Sequence, residues 1–175
     1  MLTGGHIAVS YLLAETSKLF GLTLTNKEVI TIIIAGNIID LDFLIGFFNG
    51  KTGEAHHQNL THTPFGILLL NIGWYLLLKP SFSLSVLILV STFLHLILDE
   101  ISYWAYKLGF IKTKINPQIN WLYPFKSFPK VELIKSNKES LKFYLLKAWP
   151  IALMELILII TALIILLKNF VPGHP

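Results

Sequence analysis

Cysteine and arginine are both missing from these 175 residues. Without cysteine there is no disulfide and no thiolate ligand, so nitrogen and oxygen must hold any metal, and redox compartment leaves no mark. Without arginine the bidentate guanidinium clamp on phosphate is lost, since all fourteen basic residues are lysine. Charge of either sign is scarce too: 14% of residues are charged and 54% hydrophobic, with a mean hydropathy of +0.65. Soluble domains carry about 25% charged residues. The chain therefore reads as one integral-membrane domain over residues 1–175, and a nucleic-acid partner is not expected. Its first thirteen residues lack the basic region of a cleaved leader and carry His6 where one would begin, so they are kept as mature structure.

The apolar runs predict helices over 5–20, 28–48, 64–79, 84–106 and 143–167. Thr25 or Asn26 caps the second, Thr63-Pro64 opens the third, Pro80 ends it, and Pro150 kinks or opens the last. The first is short for a full span at about 1.5 Å per residue. Residues 107–142 hold eight lysines with Trp121, Tyr123, Pro124 and Phe125, a composition suited to the membrane interface. The expected fold is an all-α, polytopic transmembrane bundle of about five apolar helices plus this aromatic, lysine-rich interfacial segment. Residues 1–106 would form a four-helix metal-site core, and 143–168 a final transmembrane helix. With alternating spans, Lys51 and the eight lysines of 107–142 fall on the N-terminal side, against Lys18, Lys27 and Lys79 opposite. The lysine bias makes that first side cytoplasmic, although the same lysines would also serve an anionic headgroup.

Polar residues interrupt the apolar runs at matching depths. Under that alternation His6, Asp40, Asp42, His62, His95 and Asp99 lie on the order of 16 to 25 Å from the opposite face. His95 and Asp99 are four apart, so a helix projects both from one side. Asp40 and Asp42 are two apart, so either the helix breaks near Gly36-Asn37 or one acid stands behind the ligands. The stretch His56 to Pro64, HHQNLTHTP, brings His57 and His62 from a loop. Asn37, Asn59, Thr61 and Glu100 are candidates to orient the ligands. The plain alternatives are a hydrogen-bonded pair joining helices for His95 and Asp99, and a solvated helix end for Asp40 and Asp42. His56 reads as surface and His174 as tail. An aspartate near the bilayer centre costs about 2.5–3.5 kcal/mol on insertion scales, which favours a functional role. A sulfur-free His and carboxylate set suits zinc, iron or manganese and excludes little beyond the softest ions, with zinc taken as the leading expectation.

Five motifs carry a resemblance: His6; Ile39-Asp40-Leu41-Asp42; His57-Gln58-Asn59-Leu60-Thr61-His62-Thr63; His95-Leu96-Ile97-Leu98-Asp99; and Trp121-Leu122-Tyr123-Pro124-Phe125. In this order they resemble the YdjM-like family of proposed membrane-bound metal-dependent hydrolases of bacteria and archaea. The sequence departs from that pattern where Ile39 replaces proline, Gln58-Asn59 replaces Arg-Gly, and Thr63 replaces serine. The family is in turn distantly similar to the zinc-dependent phospholipase C and single-strand nuclease group. That similarity implies phosphoester hydrolysis at one to three metal ions, in a lipid or small-molecule substrate, at the cell's inner membrane. The implied ligands are His6, Asp40, Asp42, His57, His62, His95 and Asp99. Asp42 or Asp40 would act as bridge or general base, and Gln58 and Trp121 would contact substrate. The competing expectations are a cation transporter built on the same polar cluster and a membrane-tethered interaction protein. Oligomeric state stays open.

Overall fold

A computed structural model describes residues 3–41, 59–126 and 137–170, and every regular element among them is helical. Helix α1 (Thr3–Ser17) tightens into a 3₁₀ turn at Lys18–Phe20, ended by Gly21 at φ 79°. Helix α2 (Asn26–Asn37) opens with a reciprocal cap: Thr25 Oγ1 accepts from Glu28 N–H, and Glu28 Oε2 accepts from Thr25 N–H at 2.8 Å. The regular helix stops at Asn37, whose Nδ2 donates to the Ile33 carbonyl at 2.7 Å, and Ile38–Leu41 continues as a 3₁₀ turn. The break offered as one explanation of the Asp40 and Asp42 spacing is therefore present. Asp42 itself lies outside the described residues.

Helix α3 (Pro64–Leu78) begins as its sequence dictates, with Thr63 Oγ1 accepting from Gly66 N–H and Pro64 in the first turn. Lys79 turns left-handed at its end, and Pro80 follows. Helix α4 (Phe82–Lys107) is capped by Ser81. Helices α5 (Asn137–Leu146) and α6 (Trp149–Phe170) replace the single final helix expected over 143–167. The chain breaks at Lys147-Ala148, so Phe143 to Leu146 belong to α5, and Pro150 falls in the first turn of α6, where it breaks no ladder.

A bilayer core of about 30 Å needs about 20 helical residues. Only α4 and α6 among the described residues are long and apolar enough to cross. The expectation of about five spans is corrected to two on this measure. Turns and caps at Gly21, Asn37 and Lys79 end α1, α2 and α3 after 15, 12 and 15 residues. Of the expected bounds, the second run overstates its helix, because the 3₁₀ turn after Asn37 is apolar as well.

Helix α4 is the central element and packs on α1, α2 and α3, while α6 lies against α1. Its inward stripe reads Leu84, Leu87, Ile88, Ser91, His95 and Asp99, so apolar packing gives way to polar groups along one face. The first half packs with Ala14, Ile32 and Ala35. At the changeover three helices touch: Ser91 Oγ donates to Ser10 Oγ at 3.0 Å, and Gly36 fills the gap beside them. A Cβ on Gly36 would meet Ser91 Oγ at 2.2 Å and Ser10 Oγ at 2.6 Å. Gly36→Ala should therefore destabilise the fold by about 1–3 kcal/mol through overpacking. Adding Ser10→Ala and Ser91→Ala should restore much of that loss. Thermal unfolding of the purified protein, followed by circular dichroism, checks both changes.

Candidate metal centre

Three segments meet beside the C-terminal half of α4. The 3₁₀ turn after α2 presents Asp40, the 3₁₀ turn Leu60–His62 before α3 presents His62, and α4 presents His95 and Asp99 one turn apart. One ligand atom from each of these four residues lies within 4.8 Å of all the others. His95 Nε2 is 3.1 Å from Asp40 Oδ1 and 3.2 Å from Asp99 Oδ2. His62 Nε2 is 3.6 Å from Asp40 Oδ1 and 3.7 Å from Asp99 Oδ2.

These separations test whether a metal fits. In a tetrahedral site with metal–ligand bonds of about 2.1 Å, neighbouring ligand atoms stand roughly 3.4 Å apart. The four measured edges bracket that value. Contacts of 3.6 and 3.7 Å are long for hydrogen bonds, yet they suit two donors facing one ion. Two carboxylates and two imidazoles also match a divalent cation in charge and in donor type. The residues present therefore fit a zinc-class ion.

His6 stands differently. Its Nε2 lies 3.0 Å from Asp99 Oδ1, the oxygen opposite the one turned to His62 and His95. Its ring stacks on His95, centroids 3.9 Å apart and planes 18° apart. It thus steadies both Asp99 and His95 from behind. Thr61 Oγ1 approaches His62 Nδ1 at 3.4 Å, in keeping with an orienting role. Of the other three orienting candidates, Asn37 and Glu100 have described bonds that lead elsewhere. Asn37 Nδ2 reaches Ser10 Oγ and the Ile33 carbonyl. Glu100 Oε2 accepts from Gln118 N–H at 2.9 Å and Ile119 N–H at 3.0 Å, which holds the following segment rather than a ligand. Asn59 occupies the position before the His62 turn. Trp121 lies half-exposed on the segment that Glu100 holds. Asp42, His57 and Gln58 fall outside the described residues.

One participant escaped the sequence reading. Glu155, buried within the apolar helix α6, accepts the Gly5 N–H at 2.9 Å and the Tyr144 hydroxyl. It thereby fixes the first turn of α1 next to His6. An acid in so apolar a helix was visible as an anomaly, but its partner 150 residues away was not.

A model of the YdjM inner membrane protein family matches residues 1–172. The chain belongs to that family. Membership makes this an inner membrane protein, in keeping with the two long apolar helices. No curated protein and no solved structure gives a significant match. The family match thus bears on location, and the chemistry of this YdjM family member rests on its side chains.

The turn that carries His62 leans on one glycine. A Cβ on Gly66 would lie 1.9 Å from the Leu60 carbonyl oxygen, a backbone atom that no rotamer change can move aside. Gly66→Ala should displace the His62 turn and weaken zinc binding at least about tenfold, the scale seen when a ligand's support is lost. Gly73→Ala in the same helix, where a Cβ meets nothing within 4 Å, should leave affinity unchanged. Competition against a chromophoric chelator measures both.

Proposed function

We propose that the protein is a membrane-embedded, metal-dependent hydrolase acting on a phosphoester of a lipid or lipid-linked substrate. The observation that carries the reading is the convergence of Asp40, His62, His95 and Asp99 from three chain segments within 4.8 Å. Burial of such a set is costly unless it binds something: His62, His95 and Asp99 side chains are 0–1% exposed. The bound ion would supply Lewis-acid activation of water and of a phosphoryl oxygen.

The chain's own residues divide the remaining work. His6 holds the Asp99 carboxylate through Oδ1, and its ring keeps the His95 imidazole from turning. Asp40 is the most open of the four, with 19% of its side chain exposed, and we assign its carboxylate to take up a proton during attack. The apolar surroundings, Ile39, Ile67 and Leu96, exclude bulk water from one side of the cluster. A site set into an apolar bundle favours a lipid-borne substrate that arrives sideways from the bilayer.

A cation path through the same cluster has one supporting feature, the polar layer of Ser10, Asn37 and Ser91 one helical turn beyond the metal ligands. The close contact of Gly36 with that layer argues against a continuous channel. Recruitment of a cytoplasmic partner would instead leave function intact when the ligands are replaced.

The discriminating assay is phosphoesterase turnover by purified, zinc-loaded protein on a panel of phospholipids. Turnover should fall at least about 100-fold in His95→Ala and Asp99→Ala, since loss of a ligand should exceed loss of its support. Activity untouched by either substitution would sink the hydrolase, and zinc-dependent cation flux in proteoliposomes would put the transporter in its place.

A further inference from the structure

After α4 the chain crosses one end of the bundle as a strap. Its inward residues recur at every fourth position. Ile111 and Ile115 are buried with Ala105, Ala148 and Ile151, where α4 meets α6. Ile119 is buried with Ile39, Ile67 and Leu96, the residues that flank the metal centre. Glu100, adjacent in sequence to the ligand Asp99, fixes this near end through the two amide groups of Gln118 and Ile119. Asn120 then folds the chain back, its Nδ2 donating to the Lys126 carbonyl at 2.9 Å and its Oδ1 accepting from Leu122 N–H at 3.3 Å. The Tyr123 ring lies 6.2 Å from that of Phe65, in the first turn of α3. The strap thus runs from α6 to the two helices that flank His62 and His95.

Its outward face has a distinct chemistry. Lys107, Lys112, Lys114 and Lys126 are exposed, and so are Phe110, Leu122 and Phe125, the last of them 92%. Residues 101–131 contain five lysines and no acidic residue. Exposed lysines in a stretch without acidic residues, interleaved with exposed rings, suit neither hydrocarbon nor open water. They suit the headgroup layer, where rings rest at the acyl boundary and lysines meet phosphates. A point-charge ammonium recognises negative charge without imposing the planar geometry that a guanidinium would.

We propose that the strap over residues 107–126 is a docking surface for anionic phospholipid headgroups, set beside the metal centre. Transfer of a docked lipid to the metal rests on the hydrolase reading, whereas the docking itself does not. Selection is for net negative charge on the headgroup rather than for one headgroup shape.

The test uses the full chain reconstituted in phosphatidylcholine bilayers containing brominated phosphatidylglycerol or, separately, brominated phosphatidylcholine. Quenching of tryptophan fluorescence reports which lipid lies against the protein, and Trp121→Phe isolates the strap's share. Wild type should favour the anionic lipid about fivefold, the scale of one lysine near a charged surface. The preference should shrink in Trp121→Phe and approach unity in Lys112→Gln/Lys114→Gln/Lys126→Gln, whose side chains are exposed and whose helix content should stay unchanged. It should also approach unity in 1 M salt, where screening shortens to about 3 Å. His95→Ala should keep it, so a wild-type chain that shows the preference but no zinc-dependent phosphoesterase turnover would count against the hydrolase alone. Equal quenching by the two lipids, a preference unaffected by Trp121→Phe, or one that survives the triple substitution would overturn the docking surface.

Discussion

Two carboxylates, Asp40 and Asp99, converge within a few ångströms in a bundle that is otherwise mostly apolar, and much of the structure answers that constraint. An isolated carboxylate in such surroundings is expensive, and two near one another repel. Imidazoles face them instead: His62 and His95 from the metal side and His6 from behind Asp99. The arginine-free sequence offers no guanidinium for this task. A divalent cation would supply both missing positive charges at once, and the four imidazole–carboxylate separations of 3.1 to 3.7 Å suit the edges of a tetrahedron around it.

The helices can be understood as the means of holding this arrangement. Asp40 and His62 lie on short 3₁₀ turns at the helix margins, where a side chain can be aimed independently of the helical repeat. His95 and Asp99 lie in the interior of the longest helix among the described residues, the more enclosed of the two candidate spans. Mobile margins would undo the site, and each is fixed by a specific contact: Asn37 onto Ile33, Thr63 onto Gly66, Glu155 onto Gly5. Glu100 extends the same logic outward. By tying the strap to the residue next to Asp99, it links the headgroup-facing surface to the metal centre through one side chain.

Much of the centre was legible in the sequence because polar groups in apolar helices are costly and therefore conspicuous. The four-residue step from His95 to Asp99 gave their shared face, and Thr63-Pro64 located the turn that carries His62. Matching depths brought Asp40 to the same layer. The two-residue step from Asp40 to Asp42 left either a helix break near Gly36-Asn37 or one acid behind the ligands, and the regular helix does end at Asn37. Less was legible where long-range partners decide. Glu100 looked like support for the ligands because it neighbours Asp99, but its carboxylate faces the strap. Glu155 escaped notice although it is a lone acid in an apolar helix, and nothing in the sequence names Gly5 as its partner. The second helix was read too long for a similar reason: hydropathy registers composition and is blind to the turn that follows Asn37.

X-ray absorption of the purified, zinc-loaded full chain tests the central claim most directly. The account predicts stoichiometric zinc with about two imidazole nitrogens and two carboxylate oxygens at about 2.0–2.2 Å, and loss of that signal in Asp99→Ala. Zinc retained no better by the native chain than by Asp99→Ala, or a bound-metal spectrum without imidazole scattering, would contradict it.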